Sequence, residues 1–426
     1  MSFDGPPNQS KRIAIVGGGI SGLAAAYLLA PEHAVTLFET SPKFGGHART
    51  VIAGTNNDQP VDTGFIVFNY ANYPHLTRMF ADLNVPVTKS DMTFGATVDD
   101  GYIEYSVQSL NALTAQRRNL LRPSFLRMVR DILRFNARAE MLARDDLTTL
   151  GELMDELGTG EWFQRYYLTP LCGAIWSTPT DTIRQFPALA MVRFFRNHSL
   201  LSGREKHQWW TVKGGSAEYV SRLVSHLRGR GVVLRPKTPV KSVSRDNNGV
   251  VLKTAKAEEE RYDQVIMACH SDQSLSLLSD PTTLELQTLR AIKYQDNTII
   301  LHRDARQMPR RKSVWSSWVY KADTTRPEPA IGVTYWMNRL QNIPTSDPLF
   351  ISLNPTNDIP DELIYDENVF RHPVFDIGAI KGQAALREIQ GQRNTWFAGA
   401  YTRHGFHEDG FASAVRVVRQ METVSI

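Results

Sequence analysis

At 426 residues, 42% of them apolar and 22% charged, the chain has material for two or three cores and is not a disordered polymer. A net charge of +4 is too small to mark a nucleic-acid binder, and two cysteines, Cys172 and Cys269, without a C-x-x-C pair offer neither a disulfide framework nor a zinc motif, so no metal is expected. No apolar run nears the roughly 18 residues of a spanning helix, and residues 1–10 (MSFDGPPNQS) lack the apolar stretch of a secretory signal, so a reducing cytoplasm is the expected compartment.

Arg12 to Val16 is a short apolar run that reads as a buried parallel strand, and Ile20 to Ala30 reads as an alanine-rich helix. Between them Gly17, Gly19 and Gly22 satisfy G-x-G-x-x-G. The first glycine makes the turn, the second admits a pyrophosphate to the backbone, and the third lets helix pack on strand, with the helix N-terminus facing the phosphates. A second strand, Ala34 to Phe38, ends in Glu39, where an acid accepts hydrogen bonds from ribose hydroxyls. NAD and FAD share this fingerprint. Farther on come a second glycine pair in FGGHART, with Gly45, Gly46, His47 and Arg49, and then VDTGFIVFN, Val61 to Asn69.

Leu110 to Met154 is predicted helical, rich in Leu and Arg with no glycine before Gly151, and reads as a cap over a substrate. Within it, Ala115 to Leu142 carries Arg117, Arg118, Arg122, Arg127, Arg130, Arg134 and Arg138 among apolar residues. Helical spacing puts Arg127, Arg130, Arg134 and Arg138 on one face and Met128, Ile132 and Phe135 on another. Two readings stand: the apolar side packs on the core with the charges in water, or the stretch docks on an anionic membrane surface.

A nucleotide-binding pattern resumes at TVKGGSAEYVSRLVSHLRGRG, a glycine pair before an amphipathic helix, followed by predicted strands at Gly231 to Leu234, Gly249 to Lys253 and within YDQVIMACH, Tyr262 to His270. Residues 271–375 mix short strands, such as Asn297 to His302 and Ile331 to Trp336, with proline-rich turns. His302-Arg303-Asp304 copies a kinase triplet by chance, since no companion kinase motif is present. The chain closes with a strand, Thr395 to Ala398, a loop, and a helix predicted to begin near Gly410, just after GFHEDG. A histidine and two acids there either cap that helix or move protons.

These phrases, in this order, resemble the flavin amine oxidase, phytoene desaturase and protoporphyrinogen oxidase superfamily, and the resemblance implies FAD rather than NAD. It implies an α/β fold: a Rossmann-type FAD-binding domain of the amine oxidase kind, in three pieces (1–85, 206–270 and 376–426), with an interleaved α+β substrate domain (86–205 and 271–375). It further implies that Gly45, Gly46 and either His47 or Arg49 cover the pyrophosphate, where the superfamily usually has Arg after the pair. By the same resemblance Gly64 and Phe65 run beside the flavin, and Val240 offers its backbone to adenine. Gly399, Ala400, Gly410 and Phe411 would close the site, with Ala400 where an acid is common. With no Cys in the C-terminal flavin segment, the FAD is expected to be noncovalent.

QWWTVKGGSAEYV, TYWMNRLQ, RHPVFD and IQGQRNTWFAGAY narrow the resemblance to bacterial flavin amine oxidase-like proteins that accompany cyclopropane-fatty-acid synthases. That implies hydride transfer to flavin from an unsaturated or methyl-branched acyl chain, as desaturation or oxidation, on a phospholipid or free. A fatty-acid methyltransferase is the implied partner, and a cytoplasmic location peripheral to the membrane follows. His407 and Glu408 then stand where amine oxidases have cage residues, and are the candidates for proton transfer. Two alternatives remain: oxidation of an amine, and a flavoprotein that serves the methyltransferase with little turnover of its own.

Overall fold

The computed structural model describes residues 10–145, 148–176, 183–197, 207–323 and 330–424. The apolar run Arg12–Val16 is strand β1, the next helix is α1 (Ile20–Leu29), and Ala34–Phe38 is strand β2. β1 lies in the middle of a five-stranded parallel sheet ordered Thr395–Phe397, Gln264–Met267, β1, β2, Val233–Arg235. A parallel strand buried on both faces must be apolar at every position. In β1, Ile13 and Ile15 accordingly enter one core while Ala14 and Val16 enter the other.

The first core joins four helices to the sheet: α1, Pro74–Asp82, Ser216–Gly229 and the C-terminal His407–Val424. The alanines of α1 allow this, since Ala24, Ala25 and Ala26 are wholly buried between neighbours. The C-terminal helix comes so near that a Cβ on Gly410 would stand 2.7 Å from Ile20 Cγ2. The second core lies under a three-stranded antiparallel sheet of Val240–Asp246, Gly249–Thr254 and Glu259–Tyr262.

A second, seven-stranded sheet draws its strands from 94–106 and 293–374, in the order Ile364–Val374, Lys293–His302, Phe350–Leu353, Ala330–Trp336, Trp318–Asp323, Phe94–Val98, Ile103–Ser106. Every pair in it is antiparallel except Trp318–Asp323 with Phe94–Val98. Its helical cover packs Phe125, Met128, Phe135, Phe163 and Phe195 onto Tyr105 and Tyr320.

Two expectations change. Residues 110–154 are not one helical insertion: they break into Leu110–Leu113, a 3-10 turn at Arg117–Leu121, and the helices Pro123–Leu142 and Leu150–Glu156. Pro123 cannot extend the preceding turn but suits a first helical position, so the chain restarts there. The C-terminal helix begins at His407, three residues before the expected Gly410. Of the two readings of the arginine-rich stretch, packing on the core holds for its apolar face: Met128 and Phe135 are wholly buried and Ile132 packs beside them. The boundary set at 205–206 falls outside the described residues. Among the described residues no helix is long and apolar enough to cross a membrane.

Candidate functional site

The glycine loop after β1 is shaped by what a side chain would strike. Gly17 sits at φ +110°, where a Cβ would meet the Ala268 carbonyl oxygen at 2.8 Å, and a Cβ on Gly22 would come within 1.9 Å of the Gly17 carbonyl oxygen. Gly19 is different: a Cβ there would meet nothing within 4 Å, because the position faces a cavity. It is also the N-cap of α1 and supplies no capping side chain, so first-turn N–H groups open toward that space. The second glycine pair closes on the first, with the Gly45 N–H donating to the Gly18 carbonyl at 2.8 Å. Gly46 leaves room for Gly19, whose Cα would lie 3.1 Å from a Cβ. Glu39 lines the cavity with its carboxylate fastened to the loop, accepting from the Gly18 and Ser41 amides at 2.7 Å each.

His47 and Arg49, the two candidates for covering an anion, part company. Arg49 makes a two-pronged ion pair with Asp366 at 2.7 and 2.8 Å and donates to Thr63 Oγ1 at 3.1 Å. It does not line the cavity. His47 does, stacked on Phe370 at 4.5 Å, with its Nε2 buried and without a partner. It is the centre of three histidines: His372 lies 5.4 Å and His270 6.1 Å from it, ring to ring. Burial lowers His47 and His270 to about 4 and His372 to about 3, and the neighbouring imidazoles add to the effect on His270 and His372. All three rings are therefore neutral at ordinary pH, and the Nδ1 of His270 is a second buried nitrogen without a partner.

Beside them, Gly64 and Phe65 line the cavity, and the Phe65 N–H donates to the His47 carbonyl at 2.8 Å. Gly399 and Ala400 also line it, whereas Val240, Gly410 and Phe411 do not. Val240 sits in the core below the three-stranded sheet, and Phe411 packs in the first core with its ring 6.0 Å from that of His75. At Gly410 a Cβ would strike α1, at Ile20 Cγ2 and Ser21 Oγ.

GFHEDG resolves into three tasks. His407 alone of its titratable residues lines the cavity, stacked on Phe65 at 4.0 Å with only 11° between the rings, and its Nε2 lies 2.6 Å from the Tyr219 hydroxyl. Burial, with a smaller contribution from His47, lowers it to about 3, so its ring is neutral. Glu408 turns the other way and accepts from the amides of His75 and Leu76, each at 3.0 Å, at the head of the Pro74–Asp82 helix. Burial pushes its carboxyl up to about 7 in spite of those two bonds. Asp409 accepts from the amides of His404 and Phe406 at 3.2 and 3.1 Å and holds that loop. The expected histidine–acid pair facing the cavity is thus a histidine with a tyrosine behind it.

Tyr219 carried no signal in the sequence, and neither did Asp62. Asp62 is wholly buried and accepts from Thr50 Oγ1, Ser216 N and Ser216 Oγ at 2.6 to 2.7 Å and from Gln341 Nε2 at 2.9 Å. It ties the VDTGF segment to the head of the Ser216–Gly229 helix, which carries Tyr219.

From the glycine loop the cavity, about 1530 Å³ in volume, continues into a chamber walled by Phe94, Leu113, Ile132, Leu171, Ile351 and Leu353. That volume exceeds the roughly 300–1,000 Å³ of a single-ligand pocket. Among the described residues two acids line it and both are engaged, Glu39 at the loop and Asp91 in an ion pair with Arg339 at 2.6 Å. Besides those on His47 and His270, three buried polar atoms on its walls have no partner: Trp318 Nε1, Asn136 Oδ1 and the Tyr401 hydroxyl.

Against known proteins, residues 20–335 match the family model described as flavin containing amine oxidoreductase. A coproporphyrinogen III oxidase from Mycobacterium leprae is 35% identical over 108 residues, covering 24% of this chain and 22% of that protein. A probable zeta-carotene desaturase from Synechococcus elongatus is 23% identical over 263 residues, 57% of this chain and 53% of that protein. The chain thus spans about half or less of the length of these relatives. Among solved structures, a CLA-producing fatty acid isomerase from P. acnes superposes with a TM-score of 0.69 at 16% identity, over 97% of this chain and 99% of that one, a likeness of fold.

Proposed function

The chain belongs to the flavin containing amine oxidoreductase family and is a flavin-dependent oxidoreductase, and on that premise we propose that its substrate is a lipid acyl chain, oxidised or desaturated beside a noncovalently held FAD. The residues fit such a dinucleotide: an open helix N-terminus at Gly19, a close glycine-on-glycine contact with the Gly45–Gly46 pair, and two unpartnered imidazole nitrogens, on His47 and His270, along the same wall. A bound flavin supplies a two-electron acceptor for hydride. The remaining work falls to the chain. Phe65 and His407 form an aromatic shelf beside Gly64, and the apolar walls orient a chain of methylenes and exclude water. His407, whose neutral ring has one nitrogen open to a proton, relays the proton that leaves with the hydride rather than keeping it, since the burial that lowers the ring to about 3 disfavours an imidazolium. Tyr219 holds that ring in position at 2.6 Å.

The observation that carries the reading is the chamber's chemistry. An acid without a partner would draw a cationic amine, and among the described residues both acids that line the cavity are already engaged. A long hydrocarbon requires only apolar wall, with one or two polar atoms to fix its oxygen-bearing end, and Trp318 Nε1 and Asn136 Oδ1 are available for that. The test is anaerobic mixing of the flavin-loaded protein with detergent-dispersed lipids bearing unsaturated or methyl-branched chains, and separately with primary amines. Bleaching of the oxidised flavin band by the lipid alone supports the proposal. Bleaching by amines alone reverses it.

A further inference from the structure

The Pro123–Leu142 helix has a second apolar row. Its core side, Phe125, Met128, Phe135 and Ala139, is already buried, yet Leu126, Leu133 and Met141 stand exposed on the outer side, at spacings of two turns. The segments leading to the helix do the same, with Leu110 81% and Leu121 87% exposed. Isolated apolar residues on a surface are ordinary, but these cluster within one stretch of chain, and two of them, Leu110 and Leu133, also line the cavity. These two leucines therefore belong both to the exposed row and to the cavity lining. Around the row stands positive charge. Arg117, Arg127, Arg130 and Arg138 are exposed on the same stretch, while its acids are engaged: Asp131 is wholly buried beside Arg130 at 3.3 Å, and Glu140 pairs with Arg196 at 2.6 Å.

We propose that this face, Leu110, Leu121, Leu126, Leu133 and Met141 ringed by arginines, is a docking surface for an anionic phospholipid bilayer, with the cavity mouth at its centre. Leucines that reach past a collar of guanidinium groups match the interfacial layer, where side chains meet acyl tails and cations meet phosphates. Charge complementarity selects a lipid surface of negative sign. The functional sense of the arrangement rests on the acyl-chain reading above: a chain entering between Leu110 and Leu133 need not cross water.

The test is co-sedimentation of the flavin-loaded protein with vesicles of phosphatidylglycerol or of phosphatidylcholine, at low and high salt. Binding to phosphatidylglycerol that fades with salt is expected. Leu121→Glu/Leu126→Glu should weaken it about tenfold or more through lost apolar insertion and new negative charge, and Arg117→Glu/Arg138→Glu should abolish the preference for phosphatidylglycerol over phosphatidylcholine. Neither pair lines the cavity, so flavin content and bleaching by detergent-dispersed lipid report folding and the chemistry separately. Equal recovery in every supernatant, wild-type binding by both variants, or self-association of the protein through this face without vesicles would overturn the proposal. Vesicle binding without any lipid-driven bleaching would leave the surface standing and remove the substrate reading.

Discussion

The two ends of the cavity are built by different means. At the dinucleotide end the shape is made by backbone: Gly17, Gly22, Gly45 and Gly46 are glycine because a Cβ would strike main chain or force an unfavourable φ. At the chamber end the shape is made by side chains, Phe94, Leu113, Ile132, Leu171 and Ile351, drawn from five separate segments. Backbone shape tolerates almost no substitution, whereas side-chain shape can be retuned one residue at a time. The fold thus separates an end that must remain fixed from an end that sets the substrate.

The largest effect should follow from breaking the fixed end. Gly22→Val puts a branched side chain where even a Cβ lies 1.9 Å from the Gly17 carbonyl oxygen, so a loss of about 3 kcal/mol or more is expected, with little FAD retained. Thermal denaturation and the flavin-to-protein absorbance ratio measure it. A yellow variant of normal stability would show that the contact is not tight.

Where the two ends meet, the adjacent His407 and Glu408 of GFHEDG should separate. His407→Ala should slow flavin reduction about 10²–10⁴-fold with FAD still bound, the range for losing a proton acceptor. Glu408→Gln should leave the rate within tenfold and lower stability by about 1–3 kcal/mol, because what it weakens is a buried clamp on two amides. Equal rate losses in both would restore the carboxylate to the chemistry.

The pH response should be smaller. His47, His270, His372 and His407 fold with values of about 3 to 4 against an ordinary 6.5, so the unfolded chain binds protons that the folded one refuses. Their stability contribution is whole above pH 6.5 and is lost as pH falls toward 4, at up to about 1.4 kcal/mol per histidine per pH unit. Arg371, which faces His270 while paired with Asp272, lowers that imidazole further, and Asp272 raises it. Asp62, Glu408 and Asp409, pushed up by burial, act in the opposite sense. The measurement is therefore a difference: the cofactor-free His372→Asn variant should lose less stability between pH 6.5 and 4 than the wild type. An identical slope would mean that His372 is protonated in the folded protein.

The same contrast decides what could be read from sequence. β1, α1 and β2 were legible almost to the residue, because a glycine that must be glycine leaves a mark at fixed spacing. The chamber left no mark, since any apolar residue of the right size serves. The sequence leaves a residue's task open where its partner is remote or the helical phase is not fixed. Arg49 was an open candidate for the pyrophosphate because Asp366, which holds it, is 317 residues away. His407 and Glu408 were paired because they are adjacent. Starting the helix at His407 turns successive side chains about 100° apart, sending one to the cavity and the next to the Pro74–Asp82 helix.

The most direct test of a fixed cofactor end joined to an apolar substrate end narrows the second and leaves the first alone. Ile132→Trp fills the chamber wall, far in sequence from the glycine loop. Anaerobic single-turnover reduction by an unsaturated or methyl-branched phospholipid in detergent should fall more than about tenfold, with FAD content unchanged. Reduction at the wild-type rate, or loss of FAD with an unchanged rate per bound flavin, would contradict the account.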